Sequence, residues 1–236
     1  MILYDRSKLD RLKHKFEGCE SIDRNYSQAY QDMFVLTMLN GKTDGTYLEI
    51  GAMDAVFINN TFLLESKFNW RGLSVDIDPA SKSTFESNGR KNSFILGDAL
   101  EVDYDKFFQD NNFGNQIDFL QVDIEPQAQT LECLKRLPFD KYRFSVIAFE
   151  TDFYDKTVDP EESLRNREES RTFLQSLGYE LIVGNIANVG PLGKDDLSPF
   201  EDWYVDPTVV SPELINLFKT TTEFNKSGED FICNEI

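Results

Sequence analysis

The chemistry that can be read from this sequence lies in acids at the ends of short hydrophobic runs. TYLEIG (46–51) closes on Glu49 and Gly51 and passes into Ala52-Met53-Asp54-Ala55. GLSVDID (72–78) closes on Asp76, SFILG (93–97) runs into Asp98-Ala99, IDFLQVDI (117–124) contains Asp123, and FSVIAFE (144–150) ends on Glu150. A glycine directly after a strand lets the backbone turn tightly and approach a ligand closely. An acid at the end of the second strand, about 25 residues beyond Gly51, can accept both ribose hydroxyl hydrogen bonds of an adenosine-containing cofactor. It would repel a 2′-phosphate. Asp98 is placed to take an adenine amino group. Asp123 and Glu150, on neighbouring strands, would emerge side by side. Such a pair can share a hard divalent cation, Mg2+ or Ca2+, or one member can accept a proton. Any one of these acids would serve equally as a turn residue or helix cap, so the argument rests on their succession.

The elements that must position them follow from periodicity. Seven β-type runs recur along the chain, the last two being YELIVGNI (179–186) and DWYVD (202–206). The first five are nearly continuous in apolar residues, as strands covered on both faces are. Between them NNTFLLESKFN (59–69), AQTLECLKRL (128–137) and EESRTFLQSLG (168–178) carry apolar residues three or four apart. Strand and helix alternate, which predicts an α/β fold, a Rossmann-like, mostly parallel seven-stranded sheet with helices on both faces. Ligands of such sheets bind at the carboxyl ends of the strands, where strand order reverses. Ahead of the first strand, SKLDRLKHKF (7–16) and SQAYQDMFVLTML (27–39) read as helices, the second with Ser27 as N-cap, and PELINLFKTT (212–221) as a late one. This divides the chain into N-terminal helices (1–45) over the cofactor pocket and a core (46–236) with substrate-side insertions near 152–168 and 187–201. Residues 224–236 are expected to fray.

Composition narrows the partners. With 42 Asp and Glu against 24 Lys and Arg, the net charge of −18 argues against sequence-independent binding to nucleic acid or anionic membranes. Three widely spaced cysteines, Cys19, Cys133 and Cys233, form neither a disulfide framework nor a zinc motif, and reduced thiols in the cytoplasm are expected. The single histidine, His14, lies in a charged N-terminal stretch, which removes the usual general base. No apolar run reaches the length of a bilayer span and no signal-peptide core is evident, so the chain reads as a soluble intracellular protein.

A longer pattern joins these pieces. Ser27-Gln28-Ala29-Tyr30-Gln31-Asp32, then YLEIGAMDA, NNTFLLE, NWRGLSVDIDP, GDAL and DFLQVDIEP, resembles the FkbM-type family of S-adenosylmethionine-dependent methyltransferases over about residues 26–152. Three positions depart from the family pattern: Ala55 replaces the second loop glycine, Asn59 replaces the serine before Asn60-Thr61, and Pro126 replaces a glycine after the fourth-strand acids. Position by position, the resemblance implies that Glu49, Gly51 and Ala52 line the methionine end of the cofactor. It implies Asp76 on the ribose, Ile77 against adenine, and Asp98 with Ala99 at the adenine edge. Gln31, Asn60 and Thr61 would close the pocket, and Asp123 would sit beneath the sulfonium and the acceptor hydroxyl.

Relatives mostly methylate oxygen, so the resemblance implies a small hydroxylated acceptor, a sugar among the candidates. A neutral hydroxyl needs a base or a metal to stabilise the alkoxide. Without a histidine, that work falls to Asp123, Glu150, Asp152 or Asp202, with Asp123 and Glu150 as the expected ligands of any divalent cation. Two other functions share the pattern. A cofactor-binding module without turnover would keep Asp76 and Asp98 but have a blocked acceptor side. A nicotinamide-dependent oxidoreductase would more typically carry the complete G-x-G-x-x-G loop that this sequence lacks.

Overall fold

The computed structural model describes residues 3–151, 153, 159–190 and 197–235. Seven strands, β1 (Thr46–Ile50), β2 (Arg71–Asp76), β3 (Ser93–Leu96), β4 (Gln116–Val122), β5 (Arg143–Glu150), β6 (Glu180–Val189) and β7 (Leu197–Val205), form one sheet in the order β3-β2-β1-β4-β5-β7-β6. β1 to β5 run parallel, and β7 lies antiparallel between β5 and β6. Strand order reverses between β1 and β4, the place at which such sheets open a crevice for ligands.

Eight α-helices accompany the strands among the described residues: α1 (Gln31–Met38), α2 (Phe62–Phe68), α3 (Pro79–Ser87), α4 (Tyr104–Asp110), α5 (Gln127–Arg136), α6 (Pro160–Ser176), α7 (Pro212–Phe218) and α8 (Gly228–Ile232). Alternation along the strands sorts side chains to two cores. Leu48, Ile50, Leu120, Val122 and Ile147 pack on one face with Leu131, Leu134 and Leu174 of α5 and α6. Tyr47, Phe119, Val146 and Trp203 pack on the other with α1 and α8. There Phe34 stacks on Trp203 at 4.6 Å between ring centroids, and Phe231 meets Trp203 edge-on at 5.6 Å. Ring pairs of this kind add about 0.5–1.5 kcal/mol each beyond their buried area.

Several expectations are corrected. Residues 7–16 do not form an α-helix; Arg6–Arg11 is a short 3-10 turn, as a charged stretch with few apolar anchors allows. Ser27 is not an N-cap: α1 begins at Gln31, after Tyr30 in the left-handed region, and the Ser27 hydroxyl bonds to the Asp32 carboxylate instead. The segments 152–168 and 187–201 are not irregular throughout, since Pro160 onward belongs to α6 and Ala187–Val189 and Leu197–Glu201 belong to β6 and β7. Residues 224–235 do not fray. Ser227 caps α8, whose Phe231 and Ile232 are buried against α1 and the sheet. The three cysteines are free and buried. Among the described residues no helix is long and apolar enough to cross a membrane.

Candidate functional site

A cleft of about 470 Å³ opens at the carboxyl ends of β1 to β4, across the reversal of strand order. Its size falls within the range of small-molecule pockets, roughly 300–1,000 Å³. Gly51, Asp76, Ile77, Asp98, Ala99 and Asp123, six of the residues expected at the site, line it together with Met53, Gly97 and Gln129. Gly51 has φ +85, and a Cβ there would lie 1.6 Å from the Asp123 carbonyl oxygen. Only glycine lets the β1 turn close against β4 and bring both strand ends to one wall. Gly97 is not crowded in this way; the nearest atom to a Cβ there would be Ile95 Cγ2 at 3.9 Å, an ordinary contact.

Asp76 anchors the cleft. Its two carboxylate oxygens accept from the Met53 N–H at 2.7 Å and the Asp78 N–H at 2.8 Å, which fixes its orientation while leaving further lone pairs facing the cleft. Asp98 accepts from the Leu100 N–H and is exposed. Ile77 and Met53 are both exposed large apolar side chains on the cleft wall, at 71% and 62%. Such a pair suits an aromatic ring slotted between apolar surfaces. Met53 and Ile58 of the loop after β1 and Tyr30 ahead of α1 all have positive φ. Non-glycine residues held there are uncommon, a β-branched Ile58 most of all, and such positions cluster at binding sites.

The acids form a line across the sheet. Counting by twos from paired residues, Asp76, Asp123, Glu150 and Glu201 all project from one face at the carboxyl edge, one step beyond Ser74, Gln121, Ala148 and Trp203. Asp123 is hydrogen-bonded to Glu150, and burial raises the Asp123 carboxyl above its ordinary range against that bond's opposing effect. Glu201 is completely buried, and burial pushes its carboxyl up to about 8, aided by the Asp123 charge and opposed by hydrogen bonds from Trp203 and Gln31. The structure therefore brings Gln31 to the acid row, held by its own bond from the Ala29 N–H. The loop before α1 is tied by Asp32, which accepts from the Tyr26 and Ser27 N–H groups.

Four expected residues, Glu49, Thr61, Ala52 and Asp202, do not line the cleft. Glu49 points beneath the cleft. It accepts from Ser74 Oγ at 2.7 Å and Thr61 Oγ1 at 3.0 Å; burial raises its carboxyl, against the pull of Arg90. Thr61 belongs to the same knot, beside Asn59, so neither side chain lines the cleft itself. Ala52 is buried beneath the loop. Asp202 faces α6, where Arg171 engages both of its oxygens at 2.6 and 3.0 Å, so Glu201 takes its place in the acid row. Asp152 lies outside the described residues. His14 bonds Asn40 in a separate cleft that includes none of the acid row. As for a metal, no group of three or more His, Cys, Asp or Glu side chains among the described residues is arranged to hold one. Asp123 and Glu150 face each other within hydrogen-bond reach.

Sequence reasoning missed Glu201 and Gln121. Gln121 is completely buried, and among the described residues neither of its amide atoms is hydrogen-bonded, nor is the buried Asn60 Oδ1 or Glu201 Oε1. Gln121 is the direct β-partner of Glu49, and Asn60 precedes Thr61, which bonds Glu49, so both belong to the surroundings of Glu49. Unsatisfied buried polar groups are costly and rare, and a bound polar ligand is one thing that satisfies them. A glutamine inside the otherwise apolar run DFLQVD was a visible signal.

By sequence, the chain matches no protein-family model and no curated protein. By structure it is similar to an O-methyltransferase from Bacillus cereus in complex with SAH, with TM-score 0.50 and 16% identity over 75% of this chain and 79% of that one. A candidate O-methyltransferase from Klebsiella pneumoniae gives TM-score 0.50 and 16% identity over 75% and 80% of the two chains. Fibrillarin from Aeropyrum pernix with bound S-adenosyl-L-methionine gives TM-score 0.42 and 18% identity over 70% and 67%. The architecture is the Rossmann-like methyltransferase fold.

Proposed function

We propose that this chain is an S-adenosylmethionine-dependent methyltransferase that acts on the oxygen of a small hydroxylated acceptor, with a saccharide among the candidates, and that it belongs with the FkbM-type enzymes its motifs resemble. The observation that carries the reading is the cleft at the strand-order reversal, where Gly51, Asp76, Ile77 and Asp98 meet in one wall. Asp76 would accept the ribose hydroxyls, Ile77 and Met53 would flank the adenine, and Asp98 with Ala99 would address its edge. The orphaned amide of Gln121 and the Asn60 oxygen suit the polar methionine end. When bound, S-adenosylmethionine supplies an electrophilic methyl group.

The chain's own part is to align the acceptor and receive its proton. In-line displacement depends mainly on positioning, which the rigid strand ends of β4, β5 and β7 provide. Glu201, raised to about 8, is tuned near neutrality, where a general base is most effective. Asp123 and Glu150, joined by their hydrogen bond, would orient the hydroxyl and take up the charge change. Magnesium or calcium at Asp123 and Glu150 is a separable version of the same site, and turnover in a chelator distinguishes the two. Calorimetry with S-adenosylhomocysteine, and methyl transfer from labelled S-adenosylmethionine, test the reading. Binding of NAD in preference to S-adenosylhomocysteine would overturn it.

A further inference from the structure

The inward face of α6 is unusually polar for a helix packed on a sheet. Asn166, Arg167, Ser170 and Arg171 are all buried there. Arg171 is fully matched by charge, engaged by Asp202 and by Glu223 at 2.6 Å. Arg167 is not. Its Nη1 donates to the neutral Asn185 Oδ1 at 3.0 Å, and among the described residues its Nη2 pairs with Glu168 at 3.1 Å, whose side chain is more than half exposed. Among the described residues neither Arg167 Nε nor Nδ2 of the preceding Asn166 has a hydrogen-bond partner, although both residues are more than nine-tenths buried. Leaving such buried donors unmatched is costly, and an anion is one partner that would satisfy them.

The place of Arg167 in the fold bears on the acid row. The Phe153 ring lies over the Arg167 guanidinium at 4.0 Å, three residues beyond Glu150. Asn185 immediately precedes Ile186, the cross-strand partner of Glu201. Arg167 therefore sits level with Glu150 and Glu201, on the α6 side of the sheet. The ring covers a face of the guanidinium and leaves its in-plane N–H groups to a ligand. A planar or tetrahedral oxyanion would take Nε together with Nη2, the side-on fork that arginine offers to carboxylate and phosphate, displacing Glu168 from Nη2.

We propose that Arg167 and Asn166 form an oxyanion-binding site, and that the acceptor carries a carboxylate or phosphate group which docks there while its hydroxyl reaches the acids over the end of β5. The acceptor half of this proposal rests on the methyltransferase reading; the oxyanion site does not.

The test follows the Arg167 Nε–H resonance, identified by its disappearance in Arg167→Gln, during titration of the full chain with inorganic phosphate and, separately, acetate at constant ionic strength. Saturable movement of that resonance is expected, with the better of the two anions naming the source. Glu168→Gln removes the internal competitor and should tighten binding several-fold. Asn166→Ala should weaken it about tenfold, the loss expected for a hydrogen bond to a charged group. No saturable movement in the wild type, or identical affinity in Glu168→Gln and Asn166→Ala, overturns the site. S-adenosylhomocysteine calorimetry on the same samples keeps the two ideas apart. Phosphate saturation without cofactor binding would remove the acceptor role and leave the oxyanion site standing.

Discussion

Glu201 is the direct cross-strand partner of Glu150 in the antiparallel β5–β7 pair. That register decides which member of the Glu201-Asp202 pair joins the acids at the sheet's edge. Glu201 shares its face with Trp203's neighbour Ala148 and lies within reach of Asp123, whereas Asp202 points through the sheet to Arg171. Had β7 run parallel, or slipped by one residue, the assignment would invert, since a one-residue shift moves every side chain to the other face.

Glu201 should give the protein a distinctive pH response. Its folded value of about 8 lies above the ordinary glutamate value, so the folded state holds the proton more tightly than the unfolded one. The stability this contributes is complete below about pH 4.5 and is lost as pH rises through about 8, with a slope approaching about 1.4 kcal/mol per pH unit in between. Urea unfolding from pH 6 to 9 should show that fall in wild type and a flatter profile in Glu201→Gln. Methyl transfer should rise over the same window as the base ionises, and the rise should vanish in the variant. Equal profiles for the two proteins would remove Glu201 from the account.

Asp202 should behave as a structural residue. Asp202→Ala leaves Arg171 with Glu223 as its remaining strong partner in a buried setting, and removing one member of such a pair costs on the order of 3 kcal/mol. Thermal unfolding should register that loss, while the affinity for S-adenosylhomocysteine of the folded fraction stays at the wild-type level. A variant as stable as wild type but inactive would restore Asp202 to the catalytic group.

Glu49 is expected to act through the loop it supports. Replacing it with Gln keeps the shape but removes the charge facing Thr61, Ser74 and Arg90, with an expected cost of about 1–3 kcal/mol in stability. Affinity for S-adenosylhomocysteine should fall less than in Asp76→Ala. If calorimetry shows the reverse order, the Glu49 carboxylate contacts the cofactor directly.

Asp123 and Glu150 distinguish a proton site from a metal site. Turnover that persists in EDTA, and drops by about tenfold or more in Asp123→Asn and Glu150→Gln, is expected from a carboxyl pair that orients the acceptor hydroxyl for Glu201. Activity lost in EDTA and restored by magnesium would favour the cation, and full activity in both variants would remove the pair from the site.

Much of this arrangement was legible in the residues because parallel strands announce themselves. Continuous apolar runs located β1 to β5, and the acids after them, Asp76, Asp98 and Asp123, fall on the cleft as their strand ends require. What could not be read was orientation around the antiparallel pair. Both acids of FEDWYV sit in a strand, and only the β5–β7 register, a long-range property, selects Glu201. The surroundings of Glu49 were illegible for a related reason: it lies two residues before Gly51, so it shares the face of the cleft one step lower, and its enclosure by Ser74, Thr61 and Arg90 is a long-range property. The helices α3 and α4 went unread because each buries few apolar side chains, Phe85 on α3 and Tyr104 with Phe108 on α4. The Asp78-Pro79 start of α3 was the available signal.

The central claim is that the cleft headed by Asp76 holds S-adenosylmethionine, and isothermal calorimetry with S-adenosylhomocysteine tests it most directly. Wild type should bind one equivalent, and Asp76→Ala should bind more weakly by about 1–3 kcal/mol, because the hydrogen bonds from the ribose to a charged acceptor are lost. The variant's unfolding curve shows whether its fold is retained, since Asp76 also holds the Met53 and Asp78 N–H groups. No heat of binding in wild type, or wild-type affinity in a folded Asp76→Ala, would contradict the account.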